Sequence, residues 1–363
     1  MNEKIKNIVN TCLFTTIFIV VFFLNVIVKD NEISNSERRK LKQMPEISWS
    51  TILDTSFMDS FDKYVLDQFV LRDTFRHIKA NMELNILNKK DNNDLFIYNG
   101  YIFKSLYPLN EKEVLVTSNK MNYIYDLYLK DMNVYYTIIP DKNYYLNDNL
   151  DYLRIDYKKL VSIMNNNISN MKYIDIFNTL NLNSYYKTDI HWKQYRLHDT
   201  VLKIASHMNF TILNDYDTKI IPNFKGSYYG QIAQNIWEDN IVYLTNNIIK
   251  KAVVFNHETG KYTSIYDLDK KGNVDMYDIF LSGPSAILDI YNEESTSNKE
   301  LIVFRDSFGS SLIPLLLKDY KKITVIDTRY VSSEYLNNFV DFNNQDVLFM
   351  YSTNIINNGS ILK

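Results

Sequence analysis

The sequence predicts an α/β protein: a parallel, doubly wound sheet flanked by helices, behind one membrane-spanning helix. Three observations carry this. Continuous apolar runs at 134–139, 301–304, 323–326 and 347–350 read as strands covered on both faces. Helix-length stretches alternate with them from about residue 111 onward, the rhythm of a parallel sheet. A further run, at 8–28, carries no charge and reaches the roughly 20 residues that a bilayer core requires.

The composition narrows the function classes. The 363 residues are 46% hydrophobic and 23% charged, which is neither a disordered chain nor a polytopic membrane protein. Forty basic against 43 acidic side chains leave a net charge of −3, with no basic signature for nucleic acid. The single cysteine, Cys12, excludes a disulfide framework and any cysteine-based zinc site. The 29 tyrosines and 20 phenylalanines, alongside abundant Asn, Ile and Lys, reflect A/T-rich codons as much as function.

Residues 1–7 read as a short cytoplasmic tail and 8–28 as an uncleaved anchor. The run ends Val26-Ile27-Val28-Lys29-Asp30, without the small residues a signal peptidase requires. Arg38, Arg39, Lys40 and Lys42 on its far side oppose Lys4 and Lys6 as an orientation signal. A short N-terminus before a long domain nonetheless favours export of that domain, placing residues 49–363 outside the cytoplasm on a single-pass anchor. Residues 29–48 are polar and read as a stalk. Phe57, Phe61, Tyr64, Val65 and Phe69 recur at helical spacing with Asp54 and Ser56 before them, which predicts one amphipathic helix. Residues 95–103 predict two short strands about an Asn99-Gly100 turn. Helices are expected near 111–131, 157–170, 193–208 and 312–317, and a strand at 173–177. Residues 210–298 yield only short strands and loops.

In an open parallel sheet, ligands gather at the carboxyl ends of strands. That rule selects two places. Arg305-Asp306-Ser307-Phe308-Gly309-Ser310 follows the strand at 301–304 and precedes a helix. A serine there can attack a carbonyl while backbone amides hold the oxyanion; Ser307 or Ser310 can equally serve as a helix cap. Thr188-Asp189-Ile190-His191-Trp192 is the second place. Imidazole can take a proton from serine and return it, and a neighbouring carboxylate fixes its tautomer. In an extended segment Asp189 and His191 would point the same way. His77, His198, His207 and His257 read as surface residues. His191 and His198 lack a third ligand at metal spacing, so no metal is expected.

Asp-x-His-Trp in mid-chain with Asp-Ser-Phe far downstream resembles the circularly permuted SGNH-hydrolase-like (flavodoxin-like) proteins of the alginate O-acetyltransferase (AlgJ and AlgX) and DHHW type. Further stretches share the likeness: Asp67-Gln68-Phe69 with Arg72-Asp73, Asn99-Gly100-Tyr101-Ile102-Phe103, Ile139-Pro140-Asp141-Lys142, Gly226-Ser227-Tyr228-Tyr229-Gly230 and Ile326-Asp327-Thr328-Arg329-Tyr330. The resemblance implies a Ser307, His191 and Asp189 triad moving acetyl groups to or from the hydroxyls of an extracytoplasmic polysaccharide, without a cofactor. It implies the amide of Ser307 as one oxyanion donor and Gly283 as a weaker candidate for a second. It also places Lys142, Tyr228 and Arg329 at the cleft, although a surface salt bridge accounts equally for the charged ones. A multipass membrane acyltransferase would then supply the acetyl group. Three features depart from the pattern: Arg305 stands where the wider group has glycine, Ile190 replaces the first His of Asp-His-His-Trp, and Lys193-Gln194-Tyr195-Arg196 takes the place of the small glycine-containing step after Trp192. An acetylesterase, or a silent polysaccharide-binding scaffold, fits the same fold.

Overall fold

The structure, a computed structural model, describes residues 3–147 and 150–363, and the chain divides into two compact units. The first comprises residues 1–92 with 230–236; the second comprises 93–229 with 237–363.

The first unit begins with α1 (Glu3–Ile27), 25 residues long and apolar enough to cross a membrane. At 1.5 Å per residue it spans about 37 Å, more than a hydrocarbon core. The segment expected to be a bare polar stalk has structure of its own. In it β1 (Ile33–Ser34) pairs antiparallel with β2 (Arg39–Lys40). The reason lies in Asp67, whose buried carboxylate accepts hydrogen bonds from the Arg39 guanidinium and the Lys42 amide. Arg39 and these bonds hold Asp67 down to about 2. Gln68 clasps the same segment through the Asn31 and Lys42 carbonyls. The helix expected over 57–69 forms as α3 (Ser56–Gln68), and two more flank it: α2 (Trp49–Leu53) and α4 (Arg72–Asn81), the last continued by a π turn, Met82–Ile86. The break between α3 and α4 falls at Leu71, which adopts φ 59°.

The second unit opens with the predicted hairpin, β3 (Leu95–Tyr98) and β4 (Tyr101–Lys104), turning at Asn99 (φ 47°) and Gly100 (φ 77°). Positive φ at both central residues is what a two-residue hairpin of the right twist demands. The chain continues through α5 (Glu111–Ile124), β5 (Asn133–Ile139), α6 (Tyr157–Asn167), β6 (Lys172–Tyr173) and α7 (His198–Met208). After these come a hairpin of β7 (Asp217–Phe224) and β8 (Asp239–Thr245), then α8 (Asn247–Lys251), β9 (Val253–Asn256), β10 (Lys261–Ser264) and β11 (Ile287–Tyr291). The chain ends with β12 (Glu300–Arg305), α9 (Gly309–Leu312), β13 (Lys322–Ile326), β14 (Asp346–Ser352) and α10 (Thr353–Ile356).

Eight strands form one sheet in the order β10-β9-β11-β13-β12-β14-β5-β6. The five from β13 to β6 are parallel, as the apolar runs predict. The irregular stretch supplies the exception, because β9, β10 and β11 extend the sheet antiparallel. Two buried apolar clusters cover the sheet. Leu301 and Val303 belong to one, and Ile302 and Phe304 to the other. This alternation explains why β12 reads as an unbroken apolar run.

Candidate active site

Ser307 sits directly after β12, at the carboxyl end of the parallel strands. Asp306 shapes the turn: its Oδ1 accepts the Phe308 amide at 3.0 Å and its Oδ2 the Ser352 amide at 2.8 Å. Ser307 does not cap α9, whose N-cap position is occupied by Phe308 without a side-chain bond. The hydroxyl lies instead 2.7 Å from His191 Nε2.

His191 arrives from a loop closed by the Tyr185–Trp192 bridge and by the bonds Tyr186 N–H to His191 O and Lys193 N–H to Ser184 O. Trp192 ties that loop to the Ser307 turn, its indole N–H donating to Phe308 O at 3.0 Å and Ser311 Oγ at 2.9 Å. Asp189 and His191 meet, but not on an extended segment. Asp189 Oδ1 accepts the His191 amide at 2.9 Å, an Asx turn, and lies 2.6 Å from Nδ1 of the same residue. With Nδ1–H donated to the carboxylate, Nε2 is the acceptor facing Ser307. Its other oxygen accepts the Ser227 amide at 2.6 Å. Burial alone would raise the Asp189 carboxyl, yet the imidazole and these bonds hold it well below the usual carboxylate range. Asp189 therefore stays ionised while it is buried.

Several supports have no signal in the sequence. Tyr277 stacks on the His191 ring, centroids 3.9 Å apart and planes within 4°. Phe308 covers the ring at 4.9 Å. Tyr277 donates to Ser311 Oγ at 2.8 Å, the hydroxyl that also receives Trp192. Asp239 Oδ2 accepts both the amide and the hydroxyl of Thr188 at 2.7 Å, fixing the loop just before Asp189.

The weaker candidates divide. Lys142 and Tyr228 come together behind the loop. The Lys142 amine is buried, donates to Ile102 O at 2.6 Å and Tyr186 O at 3.1 Å, and stands 5.1 Å over the Tyr228 ring. Burial pushes it down to about 7. It is thus a brace under the His191 loop and not a surface ion pair. Tyr228 donates its amide to Thr188 O at 3.0 Å. Arg329 is held bidentately by Asp327, at 2.9 and 2.6 Å. The Gly283 amide is already donated to Phe280 O at 3.3 Å. The glycine itself is required by φ 86° and by the Asp278 carboxyl, 2.5 Å from where a Cβ would stand. Arg305, where the wider pattern has glycine, is fully buried, with Nη1 3.8 Å from Asp327 and its Nε and Nη2 unpartnered. Among the described residues no three metal-ligating side chains converge.

A profile of the DHHW protein family matches residues 122–326, more than half of the chain and a span containing Asp189, His191 and Ser307. The chain belongs to the DHHW family. None of the curated proteins matches it. Among solved structures, it is similar to a DHHW family protein from Eubacterium siraeum, with a TM-score of 0.63 and 17% identity over 75% of this chain and 94% of that one. PatB1 of Bacillus cereus follows, with a TM-score of 0.56 and 17% identity over 75% and 99%. The O-acetyltransferase domain of Pseudomonas putida AlgJ matches with a TM-score of 0.43 and 10% identity over 72% and 92%. The first two show that this DHHW chain shares the fold of those proteins.

Proposed function

We propose that the protein is a membrane-anchored, extracytoplasmic polysaccharide O-acetyltransferase working through an acetyl-serine intermediate. One observation carries this: the hydrogen-bonded series from Ser307 Oγ through His191 to Asp189, at 2.7 and 2.6 Å. His191 Nε2 takes the Ser307 proton as Oγ bonds to the acetyl carbon. The tetrahedral oxyanion collapses, and the donor's oxygen leaves with the proton from His191, giving acetyl-Ser307. A sugar hydroxyl then surrenders its proton to Nε2 and attacks the ester; the Oγ–acetyl bond breaks as His191 passes that proton to Ser307 Oγ, releasing the O-acetyl sugar and restoring both residues. Asp189 stabilises the imidazolium in both halves and is not itself protonated.

The resemblance to the alginate O-acetyltransferases supports acetyl as the group and polysaccharide as the acceptor. An acetyl supply outside the membrane, from a multipass acyltransferase, belongs to the same reading. Helix α1 supports the anchor by its length and apolar composition.

The test is turnover of p-nitrophenyl acetate by the full chain in detergent, beside Ser307→Ala. Burst release with an acetyl-sized mass increment on Ser307, absent from the variant, is the expected result. Equal release from both proteins would remove the enzymatic reading. Adding an oligosaccharide acceptor separates transfer from hydrolysis: transfer lowers free acetate and acetylates the sugar, whereas an acetylesterase releases acetate regardless.

A further inference from the structure

Helix α4 and the π turn after it carry two distinct faces. One is polar and turned to the chain's own backbone and side chains. Arg72 pairs with Glu37 at 2.5 Å, Arg76 donates to the carbonyls of Gly230 and Gln231 at 3.1 and 3.2 Å, and His77 Nδ1 lies 2.8 Å from Ala233 O. The other is an apolar stripe. Leu71, Phe75, Ile78, Met82 and Ile86 recur at spacings of three and four, and each is between 53 and 69% exposed. Along a helix that stripe is about 20 Å long.

A water-soluble amphipathic helix buries its apolar face and wets its charges. Here the arrangement is inverted, and an apolar stripe of this length marks an interaction surface. Its position selects the occupant. The Val70 amide, one residue before the stripe begins, donates at 2.8 Å to Asn25 Oδ1, in the last turn of α1. A second tie lies nearby, where the Tyr64 hydroxyl donates to Asp30 at 3.3 Å. The stripe therefore starts at the level where α1 ends. Trp49 and Leu53 on α2, 83 and 81% exposed, add an aromatic and an aliphatic group to the same unit, and tryptophan favours the headgroup boundary.

The geometry points to a lipid surface as the occupant: α4 lies along the headgroup boundary of the membrane that α1 crosses, its apolar stripe towards the acyl chains. This rests on α1 being a membrane anchor. The binding is of the interfacial kind, in which a helix sinks about 5–10 Å into the boundary. Its consequence is that this unit is held at the membrane by two attachments, one crossing and one lying flat.

Site-directed spin labelling of the full chain in phosphatidylcholine–phosphatidylglycerol vesicles tests it. Cys12→Ser removes the native thiol. Single labels then follow from Phe75→Cys, Ile78→Cys and Met82→Cys, with Asp73→Cys as the exposed polar control and Phe18→Cys as the reporter of the anchor. Oxygen should relax the labels at 75, 78 and 82 several-fold more strongly than a water-soluble nickel complex does, with the reverse ratio at 73. If 18 is in lipid while 75, 78 and 82 are as accessible to nickel as 73, the inference is overturned and the anchor stands. Nickel access at 18 would overturn the anchor and the inference together. Dipolar broadening between labels at 75, with neither relaxant reaching them, would overturn it in favour of a second copy of the chain.

Discussion

Asp189 combines two duties in one carboxylate, since Oδ1 receives both the backbone and the ring of His191 while Oδ2 receives Ser227. Asp189→Asn keeps the size of the side chain but cannot hold the same tautomer, so the expected loss of turnover is about 10⁴-fold with little change in fold. The ester-hydrolysis rate and the circular dichroism spectrum check the two halves of that statement. Tyr277 stacks on the His191 imidazole, and under the proposed mechanism its role is to position that ring. Tyr277→Leu should lower kcat and broaden its pH profile, whereas Tyr277→Phe, which keeps the ring, should restore most of both; equal defects in the two variants would point to the Ser311 bond instead. Lys142 gives a pH test with a definite sign. An unfolded chain retains its proton up to the ordinary 10.5, the folded one only to about 7, so stability rises with pH between these values. Lys142→Met has no such proton. Its stability relative to the wild type should be most favourable at or below pH 7 and decline towards pH 10.5, as read from thermal unfolding; a difference independent of pH would contradict the burial of a charged amine. Ser307, His191 and Asp189 were legible as candidates because their residue types suit that chemistry and Ser307 directly follows a strand, whereas Asp189 and His191 lie on a loop well past the end of β6. Tyr277, Asp239 and the pairing of Lys142 with two carbonyls were not, because those contacts arise only when segments distant in sequence fold together.

At the level of elements, the loop bearing His191 is held by close backbone packing as much as by side chains. A Cβ on Gly226 would stand 2.4 Å from the carbonyl carbon and oxygen of Thr188 and 2.5 Å from Asp189 Cβ. Gly226→Ala must therefore displace the loop. The expected cost is about 1–3 kcal/mol of stability, with a fall in turnover larger than that destabilisation explains, measured by denaturant titration and ester hydrolysis on one preparation. Elements with a clean period were legible: β5, β12, β13 and β14 from their apolar runs, and the first hairpin from Asn99-Gly100. Between 210 and 298 the signals cancel. Pro222 interrupts β7, where the register also shifts between Ile221 and Phe224, and β9 to β11 are five residues or fewer. The stalk misled for a different reason: its polarity is real, but Asp67 and Gln68, twenty-five or more positions later, supply the partners that fold it.

For the second unit as a whole, the strand order is the governing fact. Strand β14 lies between β12 and β5 and pairs with both through registers running from Asp346 onward. A chain stopped before Asp346 should leave those two strands without their shared neighbour and deprive Asp306 of the Ser352 amide. Such a truncation should lose ester hydrolysis entirely and gain protease sensitivity across 133–139 and 300–305; retention of activity would show that β14 is dispensable. This order also imposes a schedule on biosynthesis. The loop with Asp189 and His191 leaves the ribosome first, the Ser307 turn follows more than a hundred residues later, and β14 comes after both, so a nascent chain can carry all three side chains before the Ser352 amide is there to fix the turn at Asp306.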